Sequence, residues 1–328
     1  MRGLLAVCLL LAGCASKSDR PRVRIANDGP GLQMWCLPLP LAGTLGYYKD
    51  VGIDVDLQIL HTRVTEALIG GSADVAALTY DSNVVLAGKG QRLRTFFIMT
   101  RRDGKVLIVS PKASGRVHRP EDLKGALVAV PSAGSGTNRW VHYYLAIHGI
   151  AESQFSAVAI GRGASAIAAI ENGRVDAAAL TGGDHFYLLK RHPGLLVLTD
   201  LSTPEGMQGT YGEPFASGNV LAKQEWLDRN PDTARRLARA WQRTLQWIAA
   251  HTPEEIRERL PEGLRTADAA VDCDIIRWGK QAYTTDGAMP KGAPDVVKKY
   301  VDATNPELRD VKIDLASTWT NEYLPGPR

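Results

Sequence analysis

The sequence predicts an α/β protein of two similar lobes, each a mainly parallel sheet flanked by helices, and three observations carry that expectation. Two widely separated stretches are near copies: Gly71-Ser-Ala-Asp74-Val-Ala-Ala-Leu-Thr79 and Gly173-Arg-Val-Asp176-Ala-Ala-Ala-Leu-Thr181. Each follows an alanine- and isoleucine-rich helical pattern, and each offers a glycine for a left-handed helix cap, a short apolar strand and then a polar loop. Strand-like and helix-like segments also alternate along most of the chain, which favours parallel strands joined by helices. Finally, 328 residues with 45% hydrophobic and 23% charged content are enough for two buried cores. Ligands of open α/β sheets collect outside the carboxyl ends of the strands, so Thr79–Asn83 and Thr181–His185 are expected to face one cleft.

The elements follow in order. Arg2 and the apolar run Leu4 to Leu11, too short to span a bilayer, read as an export signal. The run ends in Leu11-Ala12-Gly13-Cys14, which resembles the bacterial lipobox and implies a signal over 1–13, a lipid on Cys14 and a polar tether over 14–21. No later segment reads as a membrane span. Val23 to Asn27 is a first strand, closed by the turn-rich Asn27 to Gly31; Pro40 opens a helix to about Asp50, and Ile53 to Leu60 is the second strand. After the first repeat come a helix from Ser82 to Ala87 and two strands, Leu93 to Thr100 and Val106 to Ser110, around the turn Arg101 to Gly104. Ala126 to Val130 is a strand whose following loop, Pro131 to Asn138, enters a helix reaching His148. Phe155 to Ile160, the second repeat and Leu195 to Thr199 complete that region, and Thr203 to Gly218 reads as a long loop. Asn219 to Lys223 returns as a strand, and an amphipathic helix over Pro231 to Ala250 buries Trp241, Leu245 and Ile248.

The run Gly46-Tyr47-Tyr48-Lys49-Asp50-Val51-Gly52-Ile53-Asp54-Val55 resembles the signature of solute-binding proteins that serve ABC importers of nitrate, aliphatic sulfonates, taurine and thiamine precursors. Gly71 to Ala77, Glu121 to Gly125, Gly173 to Ala179 and the helix start Asn230-Pro231 match in the same order. The resemblance implies a two-lobed type II periplasmic-binding-protein fold joined by a hinge. Lobe 1 would comprise 22–104 and 219–328, and lobe 2 would comprise 105–218. It also implies a monomer that passes a small-molecule ligand to an ABC permease, without a cofactor. Thr181-Gly182-Gly183-Asp184 departs from the tryptophan and proline of taurine-type members, which argues against a simple alkylsulfonate. Two other readings share this frame: a ligand-sensing lipoprotein docked on a receptor, and an enzyme of the thiamine-pyrimidine synthase type.

The candidate binding residues cluster after predicted strands. Ser135, Gly136, Thr137 and Asn138 open a helix, where amides and hydroxyls suit an anion or carbonyl oxygen; a plain helix cap would need only one of them. Asp81 and Asp184 suit an amine or ring nitrogen, or serve as ordinary acids at helix starts. Ser82, Thr181 and Gly182 accompany them, and Trp35, Tyr80 and Tyr211 could enclose a ring or fill the core. Gly161-Arg-Gly163-Ala-Ser-Ala166 fits a dinucleotide fingerprint loosely and reads instead as a tight turn. The net charge of +4 is scattered, which gives nucleic-acid binding no support, and no nucleophile elbow or His/Cys metal spacing appears. Cys36 and Cys273 are either one disulfide or two buried thiols.

Overall fold

The computed structural model describes residues 20–27, 35–60 and 63–326. Cys14 with its lipobox, most of the tether, the turn after Asn27 and His61 lie outside the described residues. The strands are β1 Arg22–Asn27, β2 Asp54–Ile59, β3 Val75–Thr79, β4 Leu93–Ile98, β5 Lys105–Val109, β6 Leu127–Val130, β7 Ser156–Ala159, β8 Ala177–Thr181, β9 Val197–Asp200 and β10 Gly218–Lys223. The helices α1 Pro38–Thr44, α2 Tyr47–Asp50, α3 Val64–Gly70 and α4 Tyr80–Gly88 belong to the first part of the chain. The middle carries α5 Gly136–Ile147, α6 Ala164–Glu171, α7 Asp184–Arg191 and α8 Pro204–Thr210. Beyond β10 come α9 Gln224–Arg229, α10 Pro231–Ala250, α11 Pro253–Arg259, α12 Ala269–Lys280 and α13 Ala293–Thr304.

Two five-stranded sheets share one layout, β2-β1-β3-β10-β4 and β7-β6-β8-β5-β9. β1 runs parallel to β2 and β3, and β6 runs parallel to β7 and β8. β10 is antiparallel to β3 and β4, and β5 is antiparallel to β8 and β9. The expected mainly parallel sheets are therefore mixed, with one reversed strand in each. The reversed strands are those by which the chain passes from one sheet to the other. Lys105, first in β5, pairs with Thr181, last in β8, and Gly218, first in β10, pairs with Thr79, last in β3. A strand that enters at the carboxyl end of its neighbour, without a helical crossover, has to run against it.

For the same reason the strands expected around Arg101–Gly104 do not pair with each other, and that turn is a crossing between sheets. The second crossing lies beside it. The N–H groups of Met99 and Thr100 donate to the Gly218 carbonyl at 2.8 and 3.1 Å, and Ser217 N–H donates to the Thr100 carbonyl at 3.0 Å. The supposed loop over 203–218 contains α8, whose first turn Thr203 caps by accepting from Gly206 N–H at 3.1 Å.

The repeat has a structural explanation. Gly71 caps α3 at φ 78°, and Gly173 takes φ 66° after α6, conformations that favour glycine. Asp74 then accepts Arg24 N–H at 2.9 Å, and Asp176 accepts Leu127 N–H at 2.8 Å. Each repeat aspartate thus pins a backbone N–H of the neighbouring parallel strand, the third residue of β1 and the first of β6. The signature run is also structural. Gly46 and Gly52, at φ 79° and 70°, bracket α2 and divide the helix expected to run from Pro40 to Asp50. Tyr48 donates to the Leu39 carbonyl and accepts from the Trp241 indole, both at 2.9 Å, while Arg243 covers the Tyr47 ring and pairs with Asp50. Trp241, Leu245 and Ile248 are buried as the helical spacing predicts. Cys36 and Cys273 are buried thiols that are not joined to each other. Among the described residues no helix is long and apolar enough to cross a membrane.

Candidate functional site

A cavity of about 170 Å³ opens at the carboxyl ends of β3 and β8, the two repeat strands. Trp35, Thr79, Asp81 and Ser82 form its wall on the side of the first sheet. Ser135, Gly136, Thr137, Arg139, Arg162 and Thr181 face them from the connections of the second sheet. Asp103, Gly104 and Lys105, on the first crossing, and Leu78 of β3 complete the lining.

Local chain geometry sets each side chain. β3 ends at Thr79, whose hydroxyl lies 3.1 Å from that of Ser82, and α4 begins at once. Asp81 therefore sits in the first turn of α4, where the helix dipole favours a negative charge. Its charged neighbour is Arg139, 3.9 Å away, and among the described residues it accepts no hydrogen bond. Ser135 caps α5 by accepting Asn138 N–H at 3.1 Å and donates to the Ser132 carbonyl at 2.8 Å. The cap leaves the amides of Gly136 and Thr137 without intrahelical acceptors at the cavity wall. Asp103 and Lys105 form a buried ion pair, and Asp103 also accepts Gly104 N–H at 2.8 Å. The Thr181 hydroxyl is buried and has no hydrogen-bond partner among the described residues.

Of the residues singled out in the sequence, Trp35, Asp81, Ser82, Ser135, Gly136, Thr137 and Thr181 meet at this cavity. The others are placed elsewhere. Tyr80 turns inward and is fully buried, its hydroxyl 2.6 Å from that of Thr318. Tyr211 stacks on Phe215 at 4.5 Å and meets Tyr300 edge-on at 4.8 Å, and burial pushes its phenol well above the ordinary value. Asn138 faces a separate groove with His142 and Ala303. Gly182 is not among the lining residues, and beyond it the second loop leaves the cavity. Gly183 has φ 87°, and a Cβ there would lie 2.4 Å from Ile275 Cγ1 of α12. His185 packs between Phe186 and Trp278, with ring centroids at 4.1 and 5.0 Å. Asp184 accepts Gly163 N–H at 2.9 Å and borders another groove with Ile167 and Tyr187. Burial raises its carboxyl group, while the Gly163 bond and the Arg162 charge act the other way. Sequence reasoning missed Asp103, Lys105, Arg139 and Arg162. The local signals available were the glycines on either side of Arg162, the Arg101–Gly104 turn and the Ser135–Asn138 run before Arg139.

The sequence model described as NMT1/THI5 like matches residues 35–256. A solved structure of a protein from Bordetella bronchiseptica RB50 is 32% identical, with a TM-score of 0.81 over 93% of this chain and 96% of that one. The periplasmic aliphatic sulphonate binding protein SsuA from Escherichia coli is 18% identical, with a TM-score of 0.73 over 94% of both chains. The periplasmic nitrate-binding protein NrtA from Synechocystis PCC 6803 is 15% identical, with a TM-score of 0.69 over 93% of this chain and 87% of its own. At such identities the last two show a shared fold, that of the periplasmic binding proteins.

Proposed function

This chain belongs to the NMT1/THI5-like family, and we propose that it is an extracytoplasmic solute-binding protein that delivers a small organic molecule to an ABC import permease. In this reading Cys14 carries the lipid anchor, and the lobes are 22–104 with 219–328 and 105–218. The observation that carries the reading is the cavity itself, walled by the carboxyl ends of both sheets and by a crossing between them. At about 170 Å³ it is smaller than the roughly 300–1,000 Å³ of ordinary drug-sized sites, which favours a small solute. Asp81 on one wall suits an amine or ring nitrogen. The hydroxyls and amides of Ser135–Thr137 on the other suit an acidic or carbonyl oxygen. Relatives of the same fold that bind a sulphonate or nitrate support this range without choosing within it. Nothing in the cavity requires a reaction; capture and release explain its composition.

The test is a thermal-shift screen of small sulfonates, amino acids and pyrimidines. A ligand at about a hundred times its dissociation constant stabilises by about 2.7 kcal/mol. With a ligand in hand, Asp81→Ala should weaken binding about ten- to a hundredfold, the value of a charge-assisted hydrogen bond. A ligand carrying an amine or ring nitrogen that binds Asp81→Ala, and a Thr137→Ala variant of the opposite wall, as it binds the native chain places recognition outside the cavity and refutes the reading.

A further inference from the structure

The charges around the cavity do not cancel. Asp103 is matched by Lys105, and Asp81 faces Arg139 at 3.9 Å. Arg162 is the remaining charge: among the described residues it makes no ion pair, and the Asp184 carboxylate, on which its charge acts from farther off, is held by Gly163 N–H outside the cavity lining. Its backbone, by contrast, is held at three points. Gly161 N–H donates to the Pro131 carbonyl at 3.2 Å, Gly163 N–H donates to the Asp184 carboxylate at 2.9 Å, and the Ser165 hydroxyl donates to the Arg162 carbonyl at 3.2 Å. Gly161 and Gly163 both have positive φ, 79° and 66°, so the turn takes a shape that other residues would strain. The result is a fixed turn carrying an exposed guanidinium, without an ion pair among the described residues, at the cavity wall.

We propose that Arg162 recognises an anionic group of the solute, and that Asp184 is a positioning residue that holds the Arg162 turn. The proposal rests on the cleft reading above and deepens it. A guanidinium offers a planar fork of donors that matches the oxygens of a carboxylate, sulfonate or phosphate. The first amides of α5 line the same cavity and carry the positive end of the helix dipole, so they add to the attraction at one end of the site. Asp81 remains on the other wall for a nitrogen. This gives Asp184 a role that its position after β8 did not suggest. It acts through Gly163 and does not line the cavity itself.

Inorganic sulfate serves as the probe, because it reports the anion site whatever the natural solute is. Melting curves are recorded in sodium sulfate and in sodium chloride of equal ionic strength. The native chain should show a saturable stabilisation by sulfate beyond that of chloride. Arg162→Ala should weaken sulfate by about tenfold or more, while Arg174→Ala, an exposed arginine outside the cavity, should leave it unchanged. Asp184→Ala should approach the Arg162→Ala result. Asp184→Asn keeps an acceptor for Gly163 N–H and should restore affinity to within about threefold of native, about 0.6 kcal/mol. A purely structural Asp184 would instead lower the anion-free melting temperature in both variants without separating their sulfate affinities. Native-like affinity in Arg162→Ala, or a native chain that distinguishes sulfate no better than chloride, overturns the Arg162 assignment. Native-like affinity in Asp184→Ala overturns the positioning role. A neutral or cationic solute whose binding still depends on Asp81 would leave the cleft reading standing while this proposal fails.

Discussion

If the repeat aspartates pin strands, removing either one destabilises its own sheet by an amount readable from the contacts it makes. Asp74 accepts Arg24 N–H at 2.9 Å and the Arg24 guanidinium at 3.0 and 2.7 Å. The Arg24 side chain is 38% exposed, so its ion pair is screened and contributes at most about 1 kcal/mol. The strand N–H left without an acceptor costs about 1–3 kcal/mol. Asp74→Ala should therefore lose about 1–4 kcal/mol, and Asp74→Asn, which keeps an acceptor, at most about 1 kcal/mol. Asp176 accepts Leu127 N–H at 2.8 Å and pairs with Arg116, whose side chain is 51% exposed. That pair counts for little, and Asp176→Ala should lose about 1–3 kcal/mol, nearly all of it from the strand N–H.

Urea unfolding at pH 7 measures both losses, and acid titration adds a signed check. Burial acts to raise both carboxyl groups, but the hydrogen bonds and charges of Arg24, and of Leu127 and Arg116, outweigh it and hold them low. A carboxylate lower in the fold than in the unfolded chain stabilises above the ordinary value of about 3.9 and loses that contribution as pH falls through the folded value. The alanine variants should thus have a shallower loss of stability below about pH 4. Either alanine variant within about 0.5 kcal/mol of native at pH 7 would refute strand pinning as the reason for the repeat.

Two further predictions concern the second loop. Burial pushes His185 down to about 3, so from about pH 6.5 downward the unfolded chain takes a proton that the folded one refuses. Stability should fall by up to about 1.4 kcal/mol per pH unit over that window, and His185→Phe should remove this slope; parallel melting-temperature profiles between pH 7.5 and 4.5 would show the idea wrong. Gly183→Ala combines a positive φ with a collision against Ile275 and should cost about 2–4 kcal/mol in urea unfolding. Ile275→Ala in the same chain should recover part of that loss, and strictly additive effects would contradict the contact.

What the sequence revealed was local, and what it concealed was set by distant parts of the chain. The repeat was legible because a glycine cap, an apolar strand and a polar loop are each written in adjacent residues, and the Trp241–Ile248 stripe was legible by its spacing. Strand direction was not, since β5 and β10 are reversed only because the chain changes sheets ahead of them. Tyr80 and Asp81 are neighbours, yet one helical step sends the first to Thr318 in the core and the second to the cavity. Tyr211 is claimed by Phe215 and Tyr300. Asp184 follows a repeat strand just as the cavity loop does, but Gly182 and Gly183 carry it around to Gly163. Lys105, Arg139 and Arg162 are three of 39 basic residues, and although Arg139 follows the Ser135–Asn138 run and Lys105 follows the Arg101–Gly104 turn, neither run shows that its neighbour reaches the cavity.

The crossings that join the sheets also bear on how a solute is held. Asp103, Gly104 and Lys105 belong both to a crossing and to the cavity wall. Gly218 opens the other crossing strand so close to Trp35 that a Cβ would lie 2.8 Å from the Trp35 Cβ. A third segment joins them: Thr284 N–H donates to the Met99 carbonyl at 3.0 Å and Arg101 N–H to the Ala282 carbonyl at 2.8 Å. That segment follows α12, whose Trp278 donates to the Asp200 carboxylate of β9 and whose Ile275 seats Gly183. On the proposed division into lobes, rotation would have its axis along these three segments, with α12 in contact with the second sheet at Asp200. Groups near an axis move least. Trp35 and Asp103–Lys105 would keep their places as the lobes open, while Asp81 and Ser82 on one side separate from Ser135–Thr137 and Arg162 on the other. A solute that bridges those two sets would favour the closed form by the contacts it makes only there.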